Sequence, residues 1–303
     1  MIIRDKTNSF ALLFAWHGTI LPKVFLALMM VVFISTTLVY LSVHHYVSVP
    51  EVPAIGFTVF GVILSIFMSF RNTACYERWW EGRQLWGALI ASSRHMIRDS
   101  HVLEDKPRQV LLYRVMLFSH LLRDRLRKQT HAFEHDHTQI QLTAQQWQIL
   151  SEHINPPQYL LEITQKDLAA LYKRAEISDI IYSSLTQHTV AIGNIHAGCD
   201  RISSTPLPFS YSVLLHRAVY SFCFILPFSL QSSLGIWTPV IVALIAYLFL
   251  GLDALSAELE EPFGIQENDL ALNSIVRSIE REILCSLEQD LPPAIAAHKG
   301  NLL

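Results

Sequence analysis

The densest group of potential metal ligands in this chain is His131, Glu134, His135, Asp136 and His137, gathered within one short stretch. Imidazole nitrogens and carboxylate oxygens are the donors that hold zinc and related ions, and a bound ion would supply a hydrolytic nucleophile. The spacing works against that chemistry. On a helix only His131 and His135 would share a face, and the polar run at residues 129–141 reads as an exposed loop, which offers no fixed coordination geometry. His131, His135 and His137 are therefore weak metal candidates, and a solvated loop is the simpler expectation. The rest of hydrolase and kinase logic is missing from the sequence: there is no HExxH, GxSxG or CxxC, and no glycine-rich phosphate loop. Cys75, Cys199, Cys223 and Cys285 stand far apart, so structural thiols are expected, not a disulfide frame or a zinc site. Neither an enzyme nor a cofactor follows from these residues.

A second group is better placed to act. Residues 57–87 read FTVFGVILSIFMSFRNTACYERWWEGRQLWG, uncharged at first and then dense in charge and aromatic rings, with no proline between the halves. One continuous helix is the simplest reading, since a helix in lipid must keep its backbone hydrogen bonds internal. Val62, Ile66 and Phe70 recur every fourth residue and so form one stripe, with Ser65 and Ser69 beside it. Such a stripe is either a packing seam or the wall of a narrow apolar constriction that passes ions only when wetted. Farther along, Trp79, Trp80 and Trp86 suit the headgroup level, and the arginines either snorkel there or face a watery vestibule. A charge at the bilayer centre costs about 2.5–3.5 kcal/mol, so Arg71 and Asp253 are expected at the ends of their spans or against water.

The elements that must hold these residues are membrane helices. Just over half of the 303 residues are apolar (51%), which an ordinary soluble protein seldom shows. The uncharged runs at residues 24–43 and 52–70 can each cross the roughly 30 Å of hydrocarbon at about 1.5 Å per residue. Residues 218–252 are too many for one span, and Gln231, Ser232, Ser233 and Gly235 near the middle suggest a tight hairpin. Four transmembrane helices result, at about residues 24–43, 55–80, 212–231 and 237–255, with helical cytoplasmic parts at 81–205 and 256–303. Arg4, Lys6 and Lys23 precede the first span, and Arg71, Arg78, Arg83, Arg94 and Arg98 follow the second. Residues 42–54 and 231–238 contain neither Lys nor Arg. Both termini should therefore be cytoplasmic. The first apolar run is too long and too far from Met1 for a cleaved signal peptide. The net charge of −3 singles out no polyanion, and no nucleic-acid partner is expected.

Outside the spans the pattern is helical. Residues 9–23 read as an amphipathic interfacial helix, Pro50, Glu51 and Pro53 as an outer loop, and the second span as running on to about Asp99. Pro107 opens a further helix whose apolar residues 110–122 are interrupted by Arg114, so it is expected to be buried and not a fifth span. Thr143 and Gln146 have capping-box spacing. A helix follows from about Pro157 to Arg174, and Ser178 caps another that Gly198 should end. Ile180, near that cap, is most simply a core residue. A last amphipathic helix carries Leu270, Ile275, Val276, Ile279, Ile283 and Leu287 on one face. No linker or repeat separates the parts, so a single folding unit over residues 1–303 is expected.

In this order the residues resemble the bestrophin family of ion channels, in particular its bacterial branch. The resemblance rests on WHGTI at 16–20, Phe70 followed by Arg78, Trp79 and Trp80, and CDRI at 199–202. It continues through TPLPF at 205–209, Tyr211, His216, Arg217 and Tyr220, and EEPFG at 260–264. It implies an all-α membrane protein assembled as a homopentamer around a central pore in the bacterial inner membrane. Val62, Ile66 and Phe70 would form its hydrophobic neck, Ile180 a second, cytoplasmic constriction, and inorganic ions and membrane lipids would be its partners. Animal members carry an acidic calcium clasp after PFG, whereas this chain has IQEND at 265–269. Too many oxygen ligands are missing for calcium activation. The resemblance favours passive conduction of monovalent cations, sodium foremost, with an anion (chloride) channel as the alternative. A membrane-anchored metal-dependent enzyme and a scaffold for a regulatory partner are the readings from other classes.

Overall fold

The computed structural model describes residues 15–16, 18–46, 54–129, 137–297 and 302. Among them the chain forms nine α-helices and no strand: α1 (Leu21–Val43), α2 (Ala54–Asp99), α3 (Asp105–Arg127), α4 (Ala144–Glu152), α5 (Pro156–Lys173), α6 (Asp179–Ser204), α7 (Phe209–Leu234), α8 (Thr238–Glu260) and α9 (Leu272–Ser286). The expected interfacial helix and the outer loop at Pro50, Glu51 and Pro53 fall mostly outside the described residues. Contacts divide the chain into two compact units. One comprises residues 4–79 and 206–262, the other residues 80–205 and 263–303. We call them the apolar and the polar unit. The unbroken α2 contributes to each, as its lack of proline predicts.

Among the described residues, the stretches long and apolar enough to cross a membrane are Leu21–Val43, Ile55–Val102 and Phe209–Glu260. The last holds both α7 and α8, joined by a 3₁₀ turn at Gly235–Trp237. The hairpin therefore forms, but not at the polar triplet. Helix α7 runs on through Gln231, Ser232 and Ser233, and Gln231 Nε2 donates to Ser42 Oγ at 2.6 Å. Polar side chains that find partners do not stop a helix; the reversal waits for Gly235, whose φ of +52° suits a residue without Cβ. Pro239 lies in the first turn of α8, where its missing N–H is not needed. Val24 and Val31 of α1, Leu64 and Met68 of α2, Val219 and Phe222 of α7, and Val242 and Leu250 of α8 meet in one buried cluster.

The polar unit is built on α3, which is buried along most of its length despite Arg114, Arg123 and Asp124. These charges are tolerated because each is paired: Arg114 with Asp167 at 2.6 Å, and Arg123 with Asp124 at 2.8 Å. Both halves of the Thr143/Gln146 capping box form, and Ser178 Oγ accepts from the Ile181 N–H at 3.3 Å. One expectation fails. Helix α6 does not end at Gly198 but continues to Ser204. A Cβ at position 198 would sit 2.9 Å from the Leu85 side chain, so this glycine permits close packing against α2 and is not a cap.

Candidate pore-lining helix and its charged support

In the apolar unit α2 has two faces of opposite character. Leu64 and Met68 are almost fully buried, whereas Val62, Ile66 and Phe70 are 55%, 49% and 64% exposed. The stripe is thus not a packing seam within this chain. Ser65, beside it, satisfies its hydroxyl internally by donating to Val62 O at 2.8 Å. At about 100° per residue, Thr73 lies about 20° and Glu77 about 60° round from Val62, on the same side of the helix. Both are exposed, and Glu77 makes no ion pair among the described residues. The apolar stripe therefore runs into a polar one, ending in a carboxylate about 22 Å along the axis.

The buried face carries the charges that the sequence left unplaced. The Arg71 guanidinium and the Asp253 carboxylate are 5% and 9% exposed and lie 2.5 Å apart, joining α2 to α8. His216 Nδ1 of α7 is 2.7 Å from the other Asp253 oxygen. Glu260 lies 4.0 Å from Arg71 and accepts from the Leu207 N–H at 3.1 Å, while its carbonyl accepts from Arg78 Nε at 3.2 Å. Lys23 of α1 reaches Glu258 at 2.6 Å. Arg71 and Asp253, each the first charge after an uncharged run, are buried together, and their pairing offsets the cost of that burial. Only the position of each charge at the edge of an uncharged run hinted at this.

Ile180, one residue into α6, is 78% exposed and lies outside the core of the polar unit. The expectation of ordinary core packing is therefore corrected: the Ser178 cap leaves this position on an open helix start. The CDRI segment is structural in this unit. Asp200 accepts two hydrogen bonds from Arg125, at 2.9 and 3.1 Å, and Arg201 pairs with Glu81. Burial, aided by Asp200 and Glu81, pushes the Cys199 thiol up to about 12, so it is inert. All four cysteines are free. His131 and His135 lie outside the described residues, and His137 opens a 3₁₀ turn. Among the described residues no group of three His, Cys, Asp or Glu is placed to hold a metal.

These features define an all-α membrane protein whose second helix offers an apolar face to something outside its own chain. The family profile described as Bacterial/Fungal Bestrophin protein matches residues 1–285. The voltage-dependent anion channel-forming protein YneE of Escherichia coli (strain K12) is 36% identical over 298 residues, covering 97% of either chain. The voltage-dependent anion channel-forming protein mll4386 of Mesorhizobium japonicum is 35% identical over 301 residues, 99% of this chain and 96% of that one. A crystal structure of a bacterial bestrophin homologue from Klebsiella pneumoniae superposes with a TM-score of 0.81 at 29% identity, covering 88% of this chain and 99% of the other. The chain belongs to the bestrophin family. Membership places it among ion channels and not among enzymes.

Proposed function

We propose that this chain assembles as a homopentamer around a central pore and passively conducts monovalent cations, sodium foremost. The carrying observation is the exposed stripe of Val62, Ile66 and Phe70 on a helix whose other face is buried. An apolar stripe alone would suit lipid equally well. Its continuation into Thr73 and Glu77 favours a water-filled lumen, because a carboxylate gains nothing from facing hydrocarbon. Five copies of the stripe would form a narrow dry neck that conducts only when wetted, and five Glu77 carboxylates beyond it would favour cations. Ile180, held open at the start of α6, supplies a second constriction. Calcium is not the stimulus in this reading: Ile265 stands where a clasp would need oxygen, and Asp269 accepts from the Gln266 N–H at 2.7 Å. The two units together make one subunit in a bacterial inner membrane, with both termini cytoplasmic.

Anion conduction is the second reading, favoured by the names of the curated relatives. The uncharged neck is neutral between the two. Reconstituted protein in a tenfold NaCl gradient separates them, since ideal selectivity gives a reversal potential of about 59 mV, with opposite signs for sodium and chloride. A chloride-directed potential overturns the cation assignment; absence of any flux overturns the channel.

A further inference from the structure

We propose that the polar unit binds a small amphipathic carboxylate in a cavity between the start of α3 and the end of α5. The cavity measures about 330 Å³ and opens to solvent, within the roughly 300–1,000 Å³ usual for small-molecule sites. Its apolar wall is Val110 and Leu111 of α3 with Leu168 and Leu171 of α5. Arg114, which interrupts the apolar run of α3, lines the same space with a side chain only 3% exposed.

The polar lining is specific in sign. Arg114 Nε donates to Ile140 O at 3.2 Å, Nη2 to Gln141 O at 3.5 Å, and Nη1 lies 2.6 Å from Asp167 Oδ2. A guanidinium has five N–H groups, so two of them keep no partner among the described residues. Arg174 also lines the cavity but is paired with Glu176. Lys106 lines it too, and it forms no ion pair among the described residues. Arg114 is balanced by Asp167 and Arg174 by Glu176, which leaves Lys106 as one uncompensated positive charge. A monoanion matches that excess; a dianionic phosphate would leave a negative charge unpaired beside an apolar wall. A carboxylate on a hydrophobic body therefore suits the site, with its oxygens toward Lys106 and the free Arg114 N–H groups and its body against the leucines.

This inference does not depend on the channel reading, and its test uses no flux. Sodium phenylacetate is titrated calorimetrically into the full chain in detergent, with neutral phenylacetamide as the isostere. We expect one site per subunit and at least tenfold weaker binding of the amide. Lys106→Gln, an exposed change, should weaken phenylacetate at least fivefold, and Ala170→Phe, which fills the cavity wall, should abolish binding. Acid and amide binding alike, unchanged binding in both variants, or no saturable binding of the acid each overturns the proposal.

Discussion

Replacing Asp253 with Asn should destabilise the apolar unit far more than its small change in shape implies. The substitution keeps the volume, so no cavity forms, and it removes one charge from a pair whose members are 5% and 9% exposed and 2.5 Å apart. Leaving one member of a buried pair uncompensated costs about 3–5 kcal/mol. The Arg71 Nε already lacks a partner, which argues against easy relief. Glu260 at 4.0 Å still screens the guanidinium, and Asn can still accept a hydrogen bond, so the lower end, about 3 kcal/mol, is the better figure. With about 2 °C lost per kcal/mol, the low end for large domains, detergent-solubilised Asp253→Asn should melt about 6 °C below the parent. The double variant Arg71→Leu/Asp253→Leu removes both charges and should melt above Arg71→Leu or Asp253→Leu alone despite changing more atoms, a non-additivity of about 2 kcal/mol. A single variant melting within about 2 °C of the parent, or a double variant showing the summed loss of both single changes, would refute the claim that mutual neutralisation keeps these charges in the membrane unit.

Four further outcomes follow. The triple variant Val62→Ala, Ile66→Ala, Phe70→Ala should raise sodium flux into proteoliposomes severalfold, because a wider neck wets more readily; unchanged flux removes these residues from the conducting path. Glu77→Gln should move the reversal potential in asymmetric NaCl toward zero while leaving the protein folded, as expected for an exposed carboxylate without an ion pair; an unaltered potential takes Glu77 out of selectivity. Burial holds the His196 imidazole below its ordinary 6.5, with Asp200 at 3.3 Å working against the shift and Arg125 adding to it. The unfolded chain then takes up that proton first as pH falls, so the stability tied to neutral His196 is complete above about pH 6.5 and is lost below it. The melting temperature should drop more between about pH 7.5 and 5.5 in the parent than in His196→Gln, and parallel profiles would exclude the effect. Finally, a maleimide at neutral pH should modify exposed Cys285 well before buried Cys199, whose thiol is pushed up to about 12; mass spectrometry of the labelled chain reads the order.

What could be read from the residues alone is what depends on neighbours in the sequence. The continuity of α2 to Asp99, the Thr143 capping box and the Ser178 cap all arise within a few residues, and local periodicity carries them. The stripe of Val62, Ile66 and Phe70 is legible for the same reason, as a set of residues on one face. Its exposure is not, because burial depends on which helices pack on the other side. The three misreadings share that cause. Gly198 looks like a helix stop until Leu85 is brought against it. Gln231 looks like a turn until Ser42 supplies its partner from another helix. Ile180 looks like core until the fold leaves it open.

The Arg71 to Asp253 bond makes the same point about function. Its ends lie 182 residues apart, so sequence can flag each charge as costly but cannot say that the two cancel. In the proposed pore, their pairing lets one helix serve two roles. The buried face of α2 is anchored to α8 by the ion pair, while on its opposite face Val62, Ile66 and Phe70 stay about half exposed or more among the described residues. A helix that is to line a pore must hold its position without help from the lumen side, since residues there have to stay narrow, apolar and free of bonds that would block wetting. Anchoring by a charge pair on the far face meets that requirement. It also couples two of the expected outcomes: loosening Asp253 should disturb conduction as well as melting, whereas truncating the neck should change flux and leave the melting temperature close to that of the parent.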